Sequence, residues 1–130
     1  MRADIVEVVR SFESEGRVLF AQAGAGAVVL VPEDSGCAIV VQERGDALTV
    51  RTGLDIEIGL DPEEAEFPAL LREVLTALQR GEAAERLSTV YRNRLAPAGY
   101  TVEYPGGSMS EHGDRPGRQF TVRLPPWNGE

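Results

Sequence analysis

Cysteine and histidine occur once each in this sequence, as Cys37 and His112, and lysine does not occur at all. A lone cysteine excludes an internal disulfide framework and agrees with a reducing compartment. Together the two residues also fall short of the three or four thiolate and imidazole ligands that a zinc site requires. Catalytic triads need a base held against a nucleophile. His112 lies in a stretch rich in Gly and Ser, beside Ser108 and Ser110, and reads as a solvated loop residue. Cys37 follows a turn and opens an apolar run, which reads as a small packed hydrophobe. Long apolar runs are absent as well. The longest, Ala25 to Val31, is interrupted by glycine and closed by Pro32, far short of the ~20 residues of a membrane-spanning helix. The first residues lead into a charged amphipathic segment with no secretion-type apolar core, so the expectation is a cytoplasmic protein.

What the chain does hold is acid. Its 130 residues carry 21 Asp and Glu against 13 basic residues, all arginine, for a net charge of -8. That balance disfavours nucleic acid and anionic lipid as partners. The acid is also concentrated, with 14 acidic residues and 5 arginines before position 67 (net -9) and 7 and 8 after it (net +1). At this length, with 42% hydrophobic residues and no repeat or linker, a single domain over 1–130 is expected.

Periodicity supplies the elements. Ile5, Val8, Val9 and Phe12 follow a helical face from about Ala3 to Glu15, with Gly16 placed as its cap. Arg17–Gln22 and Val28–Val31 read as a hairpin around Ala23–Ala27. The Gly-x-Gly within that turn lacks the third glycine and the following helix of a dinucleotide site. A turn at Glu33–Gly36, an apolar run Cys37–Glu43 and a reversal at Gly45-Asp46 continue the pattern. From Leu54 to Leu60 apolar residues alternate with Asp55, Glu57, Gly59 and Asp61, the mark of an antiparallel sheet covered on one side. Phe67, Leu70, Leu71, Val74, Leu75 and Leu78 form a helical stripe, with a turn at 62–65 and the helix starting at Pro68. Ala84, Leu87, Tyr91 and Leu95 share a helical face, which predicts a further helix over 82–95 ended by Pro97 and Gly99, although Ser88–Tyr91 has strand propensity. Tyr100–Tyr104 and Gln119–Leu124 are expected as a C-terminal strand pair joined by a mobile loop at 105–118. The tail at 125–130 is expected to be frayed, with Trp127 a large apolar group to leave exposed. The predicted class is α+β: an N-terminal helix, an antiparallel meander of four to five strands, one or two packed helices and the strand pair.

Asp55, Glu57, Asp61, Glu63, Glu64 and Glu66 place six carboxylates in twelve residues. They lack the glycine-centred loop of an EF-hand and, spread along a strand, do not converge on one ion, so no metal or other cofactor is expected. A glycosidase-type acid and nucleophile pair has no apolar pocket here to separate two carboxylate pKa values. Arginines 86, 92, 94, 115, 118 and 123 lack the interleaved aromatics of a nucleic-acid platform and read as solvated surface. The acids read first as a solvated face with a favourable helix start, and second as a surface for a basic protein partner.

A small acidic chain with a leading helix, a meander through Leu54-Asp55-Ile56-Glu57-Ile58-Gly59-Leu60 and the helix Phe67–Leu78 resembles the immunity proteins of bacterial polymorphic-toxin systems. It is also similar in element order to small proteins that chaperone secretion substrates. The resemblance covers the general character of residues 1–95, carries no motif, and transfers no site residue. It implies a non-enzymatic partner-binding protein. Taken with the acidic segment, the expectation is an immunity protein that binds a basic toxin domain through those six carboxylates, with secretion chaperone or small carboxylate-dependent enzyme as alternatives. A homodimer stays open.

Overall fold

The computed structural model describes residues 2–13, 18–22, 26–32, 36–91, 94–112 and 118–127. The expected cap at Gly16, the loop positions 23–25 and 33–35, residues 113–117 and the last three residues lie outside them. Helix α1 (Ala3–Glu13) buries the whole predicted stripe of Ile5, Val8, Val9 and Phe12. Five strands follow as an uninterrupted meander: β1 (Val18–Gln22), β2 (Ala27–Pro32), β3 (Ile39–Arg44), β4 (Ala47–Thr52) and β5 (Ile56–Leu60). Each pairs antiparallel with the next.

The register explains why one face is apolar. Val41 lies opposite Val28 on one side and Val50 on the other, and Val50 lies opposite Ile58. Residues that pair directly share a face, so these β-branched side chains form continuous rows. Helix α2 (Phe67–Gln79) covers the rows with Phe67, Leu71, Val74, Leu75, Ala77 and Leu78, and α1 completes the same cluster. The helix begins one residue before Pro68, which sits at the second helical position, where its missing N–H leaves no hydrogen bond unmade.

The expected helix over 82–95 is corrected by the structure. Residues Ala83–Tyr91 form strand β6 and Arg94–Tyr104 form β7. Burial alternates along β6, with Ala83, Glu85 and Leu87 inside and Ala84 and Arg86 less covered. The helical spacing of Ala84 and Leu87 is therefore fortuitous, and the strand propensity of Ser88–Tyr91 prevails because β6 gains a ladder on both edges. Pro97 and Gly99 do not terminate an element. They flank a bulge in β7, where Arg86 pairs with Gly99 and Leu87 with Pro97, and a bulge tolerates the proline.

Two further corrections concern the C-terminal part. Tyr100–Tyr104 and β9 (Gln119–Arg123) do not pair with each other; both flank β6 in a four-stranded sheet of order β8-β7-β6-β9. The fourth strand, β8 (Gly107–His112), occupies a large part of the expected loop at 105–118 and turns back from β7 through Pro105-Gly106. Polar residues such as Ser108 and Ser110 suffice there, since an edge strand needs backbone pairing more than apolar burial.

Trp127, expected in a frayed tail, is only 5% exposed and donates its indole N–H to the Cys37 carbonyl at 3.0 Å. Gly36 leaves room for the ring, because a Cβ there would collide with it. One apolar cluster includes both helices, the inner face of the five-stranded sheet and Ala83, Tyr100, Val102, Leu124 and Trp127. Among the described residues no helix is long and apolar enough to cross a membrane.

Candidate functional site

The six carboxylates lie along the end of the β4–β5 turn, β5 and the turn that joins it to α2, and all six are exposed. Strand β5 is an edge strand of its sheet. Ile56, Ile58 and Leu60 anchor it in the core, which turns Glu57 outward. Leu54 and Asp55 belong to the β4–β5 turn instead of the strand, and Leu54, expected on the apolar face, is 72% exposed. Asp55 and Asp61 bracket the strand. At ~3.3 Å per strand residue they stand about 20 Å apart. The carboxylates therefore form a ridge and do not converge, and among the described residues no group of three or more His, Cys, Asp or Glu is close enough to hold a metal ion.

Each acid has a distinct local setting. Glu57 approaches the Arg44 guanidinium at 3.6 Å across the outer face of the sheet, and both side chains are more than half exposed. Such a pair contributes little stability. Asp61 shapes the next turn by accepting the Glu63 N–H on its carboxylate at 3.0 Å and the Glu64 N–H on its carbonyl at 3.2 Å. Glu63 faces Arg2 at 3.7 Å. Arg2 also donates to the Pro62 carbonyl at 2.8 Å and lies 5.9 Å from the centre of the Phe67 ring, so it ties the start of α1 to this turn. Glu66 is the capping residue of α2 but makes no side-chain capping bond. Among the described residues, no cation comes within ion-pair distance of Asp55, Glu64 or Glu66.

The start of the ridge is held by a residue that no sequence motif marks. Glu85, on the inner face of β6, is 5% exposed. Its carboxylate accepts the backbone N–H of Leu54 at 3.0 and 3.1 Å and that of Asp55 at 2.8 Å. Backbone donors converging on a carboxylate stabilise its charge where water is scarce. Gly53 makes the approach feasible: its φ is +63°, and a Cβ there would stand 2.5 Å from the Glu85 carboxylate. The available signal was an acid alternating with Ala83 and Leu87, which has meaning only once β6 is recognised as a strand.

A second tie runs from Tyr100 on β7, whose hydroxyl donates to the Glu57 carbonyl at 2.6 Å. Burial raises the Tyr100 pKa above its ordinary value of 10.0, and the negative charges of Glu111, Glu57 and Asp55 raise it further. The hydroxyl thus stays protonated and able to donate. Val40, Arg51, Leu54, Asp55 and Glu57 line an open groove of about 460 Å3 beside these ties. Arg51 donates to the Gln42 side-chain oxygen there at 2.9 Å.

The remaining sequence candidates lie elsewhere. Cys37 is half-buried against the core. His112 is the last residue of β8, and its side chain lies outside the described residues. Ser110 donates to the Thr101 hydroxyl at 3.3 Å. Arg86 and Arg123 border a separate open hollow of about 530 Å3 on the outer face of the second sheet, together with Glu82 and Glu103. Both arginines donate to carbonyls, of Glu111 at 2.9 Å and of Gly81 at 2.7 Å. Comparison of the chain with protein-family models, with curated proteins and with solved structures finds no match.

Proposed function

We propose that this chain is a non-enzymatic cytoplasmic protein that binds a basic protein partner along the ridge from Asp55 to Glu66, and that it acts as an immunity protein by covering a toxin domain. The observation that carries the reading is the combination of a fixed backbone with uncompensated charge. Glu85, Tyr100 and Arg2 hold the β4–β5 turn, β5 and the β5–α2 turn from beneath. Asp55, Glu64 and Glu66 stand above them without an ion-pairing cation among the described residues. Like charges held close together repel, and an Arg- or Lys-rich surface relieves that repulsion on docking. The ridge needs little reordering, so the association is fast and salt-sensitive.

The test begins with co-purification from the native host to identify the partner, followed by association kinetics at several salt concentrations. Replacing Asp55 and Glu57 by Asn and Gln is expected to slow association and flatten its salt dependence while leaving the denaturation midpoint nearly unchanged. Binding indifferent to both salt and these substitutions rejects the ridge as the interface. An immunity role further requires that the co-purified partner be a folded domain with toxic activity and that the complex suppress it.

A further inference from the structure

We propose that β9 is a self-pairing edge through which two copies of this chain associate about a two-fold axis. This inference is independent of the acidic ridge. The sheet edges differ in what their backbone already does. At β5, Tyr100 takes the outward Glu57 carbonyl. The edge strand β8 leaves no large apolar side chain exposed.

Strand β9 is different. In its register with β6, the Leu124 N–H donates to the Ala83 carbonyl and the Thr89 N–H to the Arg118 carbonyl, both at 2.9 Å. In an antiparallel pair the ladder bonds fall on alternate residues. Phe120 and Val122 therefore direct their backbone groups at β6, whereas the N–H and C=O groups of Gln119, Thr121 and Arg123 point to the free edge, where no described residue takes them. Phe120 and Val122 are also 40% and 49% exposed, although they share a face with the buried Leu87 and Glu85.

Pairing chemistry selects a second copy as the occupant. An antiparallel strand centred on Thr121 sets Thr121 against Thr121, Gln119 against Arg123, Phe120 against Val122 and Arg118 against Leu124. The three outward-pointing residues then become the hydrogen-bonded pairs. Thr–Thr and aromatic–β-branched neighbours are favourable cross-strand combinations, and the Gln119 amide oxygen accepts from the Arg123 guanidinium. Charge selects the register. A shift that centres the pairing on Arg123 brings arginine against arginine, whereas the Thr121-centred register keeps them apart. Arg118 already stacks 5.3 Å from the centre of the Phe120 ring, so that side chain enters the pairing ordered. The contact is isologous and closed. One strand pair with two apolar side chains on each copy buries less than the ~1,200 Å2 of a stable interface, so the dimer is a weak one that forms at high protein concentration.

Sedimentation equilibrium of the full chain from micromolar concentrations to about 1 mM is expected to show a monomer–dimer equilibrium. Thr121→Pro removes one outward donor and no β6 ladder bond, so it is expected to be monomeric with an unchanged circular dichroism spectrum. A register-specific measurement covers the case in which that variant fails to fold. In a Cys37→Ala background, Thr121→Cys is expected to cross-link to itself on oxidation, whereas Gln119→Cys is expected to cross-link only when mixed with Arg123→Cys. A chain that stays monomeric throughout overturns the proposal. So does a dimer that survives Thr121→Pro in a folded protein, cross-linking in another register, or a monomer that takes up an extended segment of some other protein on β9.

Discussion

Glu85 shows how a single buried side chain sets the position of residues far from it in sequence. Its carboxylate is the acceptor for two consecutive backbone N–H groups of the β4–β5 turn. Glu85→Ala is expected to cost about 1–3 kcal/mol, the usual range for removing one partner of buried hydrogen bonds, read as a lowered denaturation midpoint. Gly53→Ala should lower it too, since both the positive φ and the carboxylate exclude a Cβ. Midpoints unchanged in both variants would mean that the turn holds itself. Tyr100 has a pH signature. Its folded pKa lies above the ordinary 10.0, so the folded state retains a proton that the unfolded state has lost. Its contribution is complete below the unfolded value and disappears as pH rises through the folded one. Stability is therefore expected to fall more steeply above pH 10.0 in the wild type than in Tyr100→Phe, as followed by urea denaturation across that range. Parallel declines would argue against the ionisation. Neither residue stood out in the sequence, where Glu85 is one acid among 21 and Tyr100 one strand residue among several.

At the level of elements, α2 was the most legible and β6 the least. The stripe from Phe67 to Leu78 has one regular reading, and its members are buried as that reading requires except Leu70, which is half-buried against the same core. Leu71→Ala and Leu75→Ala are each expected to cost roughly 2–5 kcal/mol, because both side chains are fully buried and neighbouring backbone relaxes only partly into the space they leave. A denaturation midpoint that stays in place would mean that the helix does not seal the sheet. In β6 the sequence holds two periods at once, and local propensity could not rank them. The decision came from β7 and β9, which pair with β6 on its two sides. The same holds for β8, whose residues carry no alternation to read. It is a strand because Pro105-Gly106 returns the chain alongside β7.

Considered whole, the molecule separates its charge by architecture. The acidic first half forms α1, the five-stranded sheet and the turn into α2, while the near-neutral second half forms α2 and the four-stranded sheet, whose Glu85 and Tyr100 fasten the ridge. If binding runs through the ridge, neither Cys37 nor His112 takes part. Cys37→Ala and His112→Ala are therefore expected to leave partner affinity and protective activity intact. Trp127 still finds the backbone carbonyl of residue 37 after that substitution. A large loss from either change in a folded variant would point to chemistry instead of docking. Raising the salt concentration should weaken partner binding but not β9 self-association, since salt screens the repulsion between two copies that each carry a net charge of -8.

The sequence by itself determined the α+β class, the meander and its apolar face, both helices and the location of the acid, because these depend on periodicity and charge within short windows. Only the tertiary structure decided that Ala83–Tyr91 and Arg94–Tyr104 are strands, that Trp127 is part of the core, and that Glu85 and Tyr100 fasten the ridge. Each of these depends on a partner distant in the chain: Trp127 meets a carbonyl 90 residues away, and Tyr100 one 43 residues away. A short window of sequence contains one half of such an interaction, and the free energy that chooses the structure belongs to the pair.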